Sequence, residues 1–164
     1  MPLKLIACAA AALSGLVIGL SKAGTLYRRR DCLRDLELFV QTLATCLRYQ
    51  SEELFESVAR AAENTCLYPL TPPETTVSFE AWWQEITERL CRENSLQNSD
   101  KELLLSFGSP LGATDLEGQL SHLALYRELL KKQLDGAERD ITEKSRLYRT
   151  LGLFGGACAA IMLL

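Results

Sequence analysis

The side chains with the most chemical potential are one histidine, six cysteines and an acidic group at Glu52, Glu53 and Glu56. A catalytic centre needs a nucleophile, a base or a metal cluster that converge, and none of these sets does so by type and spacing. His122 stands alone beside apolar positions, where an imidazole more often packs and makes a single hydrogen bond than binds a ligand. Cys8, Cys32, Cys46, Cys66, Cys91 and Cys158 contain no CxxC pair, so the spacing of a zinc site is missing. The three glutamates read as the solvated start of a helix rather than as an acid and base pair. Gly108-Ser109-Pro110-Leu111-Gly112 has loop glycines but lacks the Lys-Ser/Thr that closes a phosphate loop. A chain with no enzymatic activity, no catalytic residues, no metal and no cofactor is expected.

The scattered cysteines fit the role of small hydrophobes. Unpaired thiols of this kind point to a reducing compartment for the middle of the chain. A net charge of −3 over 164 residues gives no reason to expect nucleic acid, and no small-molecule substrate is implied. Leu, Ala, Glu and Arg dominate, three of the five prolines fall between Pro69 and Pro73, and no run has the alternation of a strand. The class is all-α.

Each end of the chain is apolar. Leu5 to Leu20 is an uncharged run of sixteen residues, and extension to Ala23 or Gly24 brings it near the ~20 residues of a bilayer crossing. Lys22, Arg28, Arg29, Arg30 and Arg34 follow it. Ser21-Lys22-Ala23 loosely imitates a signal-peptidase site, so a secreted, signal-cleaved helical binding protein is the competing reading. Basic residues placed after the apolar run, where they resist translocation, favour an anchor instead. At the other end Leu151 to Leu164 carries no charge, with Lys144, Arg146 and Arg149 on its inner side. A buried core helix is the alternative there.

The positive-inside rule puts the middle in the cytoplasm and both termini outside it. The domain reading is a membrane segment at 1–24, a cytoplasmic helical domain at 25–149 and a second membrane segment at 150–164. Small residues recur every fourth position, at Ala11, Gly15 and Gly19 and again at Gly152, Gly156 and Ala160. Such ridges let helix backbones approach closely in lipid, so the two segments are expected to pack on each other or on partner membrane proteins.

Between the ends, helical periodicity is strong. Leu33, Leu36, Val40, Leu43 and Leu47 form a stripe spaced 3, 4, 3, 4 on one face. A short helix with Leu54, Phe55, Val58, Ala59 and Ala62 facing inward follows, then a loop from Asn64 to Val77. Ser78 can cap a helix bearing Phe79, Trp82, Trp83, Ile86 and Leu90. Adjacent tryptophans cannot share one narrow face: either one reaches a side cleft or partner, or both pack at a crowded junction. Ser99-Asp100-Lys101-Glu102 and Thr114-Asp115-Leu116-Glu117 read as capping boxes. The last helix, with Leu116, Leu120, Leu123, Leu130, Leu134, Ala137 and Ile141, should run into the C-terminal apolar segment. The expected architecture is a bundle of about six helices, with the apolar membrane helices continuing its first and last members.

The stretch Leu104-x-x-Phe107-Gly108-x-x-Leu111-Gly112-x-x-Asp115-x-x-x-Gln119-x-x-His122 resembles the signature of the stage III sporulation protein AB family of endospore-forming bacteria. Leu3-Lys4-Leu5-Ile6, Gly19, Tyr27 with its following arginines and the long last helix are similar to that family too, so the resemblance spans the chain. It implies a non-enzymatic component of the secretion-like complex joining mother cell to forespore. That component is anchored on the mother-cell side of the cell membrane. It sits among other membrane subunits, resembles the cytoplasmic domain of type II secretion platform F proteins and lies beside a cytoplasmic ATPase. For the signature residues, elementary chemistry predicts a turn: Gly108 and Gly112 supply unusual backbone angles, Asp115 suits a helix N-terminus, and Gln119 and His122 can bond back to it.

An antiparallel bundle would place its tip near residues 49–56 and 109–115. Glu52, Glu53, Glu56 and Asp115 are the candidate partner surface there, with a merely solvated end as the plainer reading. Arg28, Arg29, Arg30 and Arg34 are assigned to lipid phosphate.

Overall fold

The computed structural model describes residues 2–49, 54–70, 78–111 and 114–163, with helix side chains described from 14 to 155 and at 158, residues 16, 149 and 153 excepted. Among the described residues there is no strand. There are five helices: α1 (Pro2–Tyr49), α2 (Leu54–Ala61), α3 (Phe79–Asn94), α4 (Asn98–Gly108) and α5 (Leu116–Leu163). Five are described where about six were expected; α1 and α5 run on into the apolar ends as the sequence suggested, and Gly24, the expected boundary, lies inside α1. The chain divides into two compact units, one of residues 1–28 with 136–164 and one of residues 29–135.

The unit of residues 29–135 is a side-chain-packed bundle. On α1 four of the five residues of the predicted stripe, Leu33, Leu36, Val40 and Leu43, are buried, joined by Cys32, Phe39 and Cys46, while Leu47 is half-buried. On α2 Val58 is buried as expected, as is Ala62 just past the helix, joined by Ser57 and Ala61, whereas Leu54, Phe55 and Ala59 of the expected set stay half-exposed. Ser78 caps α3 as expected, its hydroxyl accepting from the Ala81 N–H at 3.3 Å, and Ser95 ends that helix in the left-handed region at φ 57°. Both tryptophans pack. Trp83 is 1% exposed and stacks on Phe39 at 5.8 Å and on Phe79 at 6.1 Å between ring centroids. Trp82 is buried against Phe55 and Phe79 and also lines a cavity of about 550 Å³ with Leu70, Ile86 and Arg89. Such aromatic pairs contribute about 0.5–1.5 kcal/mol each beyond their area.

Two helix starts differ from the sequence reading. The residue before α4 is Gln97, not Ser99: the Asp100 carboxylate accepts the Gln97 N–H at 2.8 Å from the third helical position. At α5 the capping side chain is Asp115 rather than Thr114, with Oδ1 accepting the Gly118 N–H at 3.1 Å. An aspartate reaches the third N–H of the helix that follows it, which is the ordinary N-cap bond.

The unit of residues 1–28 and 136–164 is packed differently. Its helices meet at glycines. A Cβ added to Gly19 would lie 2.7 Å from the Tyr148 carbonyl oxygen, and one added to Gly152 would lie 2.7 Å from that of Gly15. Ala23 and Ala137 are buried nearby in the same unit. Six large apolar side chains described there are exposed, Val17, Ile18, Leu20, Leu147, Leu151 and Phe154, while Ile141 is half-buried. Among the described residues, no helix is long and apolar enough to cross a membrane. Most of the Leu5–Leu20 run has its side chains outside the described set, as do Ala11, Gly156 and Ala160.

Candidate functional site

The signature residues gather at the corner between α4 and α5. Phe107, in the last turn of α4, is 2% exposed and offers its carbonyl oxygen to His122 Nε2 at 3.0 Å. The two rings also face each other at 5.9 Å, and Tyr126 closes on both, at 5.4 Å from Phe107 and 4.4 Å from His122. Gln119 Nε2 donates to the Thr114 carbonyl at 2.9 Å. Gln119 and His122 therefore clamp the corner from α5, one on each side of the turn. Leu111 is buried beneath it. His122 makes a hydrogen bond to backbone and two ring contacts, which is a packing arrangement.

Gly108 has a different reason from the one expected. It is the last residue of α4, with a helical backbone, and a Cβ there would come 2.2 Å from Trp83 Cδ1. The glycine makes room for the indole; it does not supply a special angle. The same indole donates from Nε1 to the Leu104 carbonyl at 2.6 Å, so Leu104, Phe107 and Gly108 share one neighbour. Gly112 lies outside the described residues.

Of the candidate partner surface, Glu56 and Asp115 are exposed, and Asp115 uses one carboxylate oxygen as the α5 cap. Glu52 and Glu53 lie outside the described residues. Among the described residues no group of three or more His, Cys, Asp or Glu side chains gathers as for a metal ion.

The assignment of all four arginines to lipid phosphate is corrected at Arg29. Its side chain is buried, with Nε 2.7 Å from Asp100 Oδ2 and Nη2 3.0 Å from Oδ1. Nη2 also reaches Gln133 Oε1 at 3.4 Å. Asp100 is fully buried. One carboxylate thus ties α1 to α4 by a bidentate pair and holds the start of α4. The pattern carries a signal for this: Arg29 stands four residues before Leu33, so it continues the buried stripe. A basic neighbourhood concealed it. Arg30 differs, pairing with the exposed Asp31 beside it.

A second grouping missed by the sequence reading is Cys32 with Cys66. Their sulfurs lie 3.0 Å apart.

These features define a class: a helical bundle whose distinctive residues build a corner and an interhelical ion pair. Within that class the assignment is specific. The chain belongs to the stage III sporulation protein AB family, whose sequence model matches residues 4–164. Neither a curated protein nor a solved structure matches it.

Proposed function

We propose that this stage III sporulation protein is a non-enzymatic, membrane-anchored platform subunit of the complex linking mother cell and forespore, and that it docks a cytoplasmic ATPase. The observation carrying the reading is the unit of residues 1–28 and 136–164. Gly19 and Gly152 bring its helices into backbone contact, while Val17, Ile18, Leu151 and Phe154 are about 60% exposed. Helices that bury glycine and display large apolar side chains are matched to hydrocarbon, where small residues make the helix contact and bulky ones meet lipid. Family membership supports the sporulation context.

Two measurements test it. The intact mass of the chain from sporulating cells should include residues 1–24, and alkaline carbonate should leave it in the membrane fraction; a shortened chain or release by carbonate would overturn the anchor. For docking, the acidic group at Glu52, Glu53 and Glu56 is the part nominated to meet the ATPase. Reversing all three to Lys should weaken binding in a salt-dependent way without loss of helicity. Equal binding by parent and variant would exclude that surface.

A further inference from the structure

We propose that Cys32 and Cys66 form a redox modification site, in which a hydroperoxide converts the two thiols into a disulfide tying α1 to the turn after α2. The sulfurs are already 3.0 Å apart, against ~2.05 Å in the bond. Cys66 is held there by its surroundings. Its Sγ donates to the Cys32 carbonyl at 3.6 Å. The turn itself is fixed by Thr65 Oγ1, which donates to the Ala62 carbonyl at 2.7 Å. From α3, Arg89 Nη2 donates to the Leu67 carbonyl at 3.2 Å. Two thiols placed by three elements in this way need only a small sulfur displacement to bond.

The two sulfurs are not equivalent, and this sets the order of events. Cys32 is 2% exposed, whereas Cys66 is half-buried and open to a small oxidant. The hydrogen bond to Cys66, and then burial, hold the Cys32 thiol far above the ordinary thiol range. Cys66 therefore meets the oxidant first. Its thiol takes one oxygen from hydrogen peroxide, giving a sulfenic acid and one water. The Cys32 sulfur then displaces the hydroxyl, which leaves as a second water carrying the Cys32 proton. Two thiols are oxidised and one peroxide is reduced to two waters. Proximity compensates for the poor nucleophilicity of a protonated thiol.

Hydrogen peroxide should be titrated onto the purified full-length chain in mild detergent, free thiols blocked with maleimide, and the digest mapped. A Cys32–Cys66 linked peptide should be the first cross-link formed. The thermal midpoint should rise by roughly 10 °C, as expected for closing a loop of this length, and dithiothreitol should reverse the rise. Cys66→Ser should abolish both link and shift, whereas Cys32→Ser should leave a sulfenic acid on Cys66 that dimedone traps. Cys91→Ser should still form the link. A first cross-link from Cys66 to Cys91, an intermolecular link through Cys158, or sulfinic acid on Cys66 with no cross-link would each overturn the proposal.

Discussion

The two units solve the same problem, holding helices together, by opposite means. In residues 29–135 side chains interlock: Phe39 stacks on Trp83 and Phe107 packs edge-on and tilted against the two, and the one deeply buried ion pair, among the described residues, is bidentate. In residues 1–28 and 136–164 the contact is made by backbone at Gly19 and Gly152, and the bulky residues are exposed. An interior built from large apolar groups gains from leaving water. A contact built from glycine gains almost nothing that way, so it must rely on close van der Waals approach.

The sharpest way to break the bundle's side of this comparison is to orphan its buried charge. Asp100→Leu should cost about 3–5 kcal/mol, because the buried Arg29 loses the carboxylate that balances its charge. The double variant Arg29→Leu with Asp100→Leu should recover most of that loss in a urea titration. A single variant as stable as the parent would show that Arg29 escapes to water. Next in size is Gly108→Ala, whose added Cβ meets the Trp83 ring; overpacking of this kind costs about 1–3 kcal/mol, read as a drop in the thermal midpoint.

The other unit should respond independently. Gly152→Ile should open the helices of residues 1–28 and 136–164, raising amide exchange there by an amount worth roughly 1–3 kcal/mol of local stability. Exchange in residues 29–135 should stay within error, and coupled loss of both would merge the two units into one. The smallest effect concerns Asp35. Burial raises its carboxyl above the usual range, the bond from the Cys66 N–H opposes this, and neighbouring Asp31 adds to the rise. The folded state therefore holds this proton more readily than the unfolded chain, so its contribution to stability falls as pH rises from 3.8 through the folded-state value. Asp35→Asn should remove that slope, leaving neutral-pH stability unchanged or slightly higher, by comparison of urea midpoints at pH 4 and 7.

Periodicity carried much of this fold. Leu33, Leu36, Val40 and Leu43 were readable as a buried face because apolar side chains three and four apart must share one side of a helix. Ser78 was readable as a cap for an equally local reason. What the sequence hid was interaction between distant segments. Arg29 lies 71 residues from Asp100, and local charge density suggested lipid instead. Gly108 looked like a turn residue because the indole it accommodates is on another helix. Cys32 and Cys66 showed no motif spacing, since the turn after α2 brings them together rather than a short loop between them. The cap positions at Gln97 and Asp115 were missed by one or two residues, where several hydroxyl and carboxyl side chains compete for the same helical N–H groups. Of the corner, Gln119 and His122 were legible as side chains bonding back to the turn. Their partners, Thr114 and Phe107, emerged only with the fold.

Trp83 has a practical consequence. The chain has two tryptophans, and both lie in the unit of residues 29–135. Indole fluorescence therefore observes that unit and is blind to the rest. In the native state the Trp83 indole is wedged between Phe39 and Phe79, with its N–H on the Leu104 carbonyl. Its emission should be blue-shifted and resistant to iodide, moving to longer wavelength as the bundle unfolds. Far-ultraviolet dichroism sums over every helix. Divergence between the two signals during a melt would separate loss of the bundle from loss of the glycine-packed helices within a single unlabelled sample.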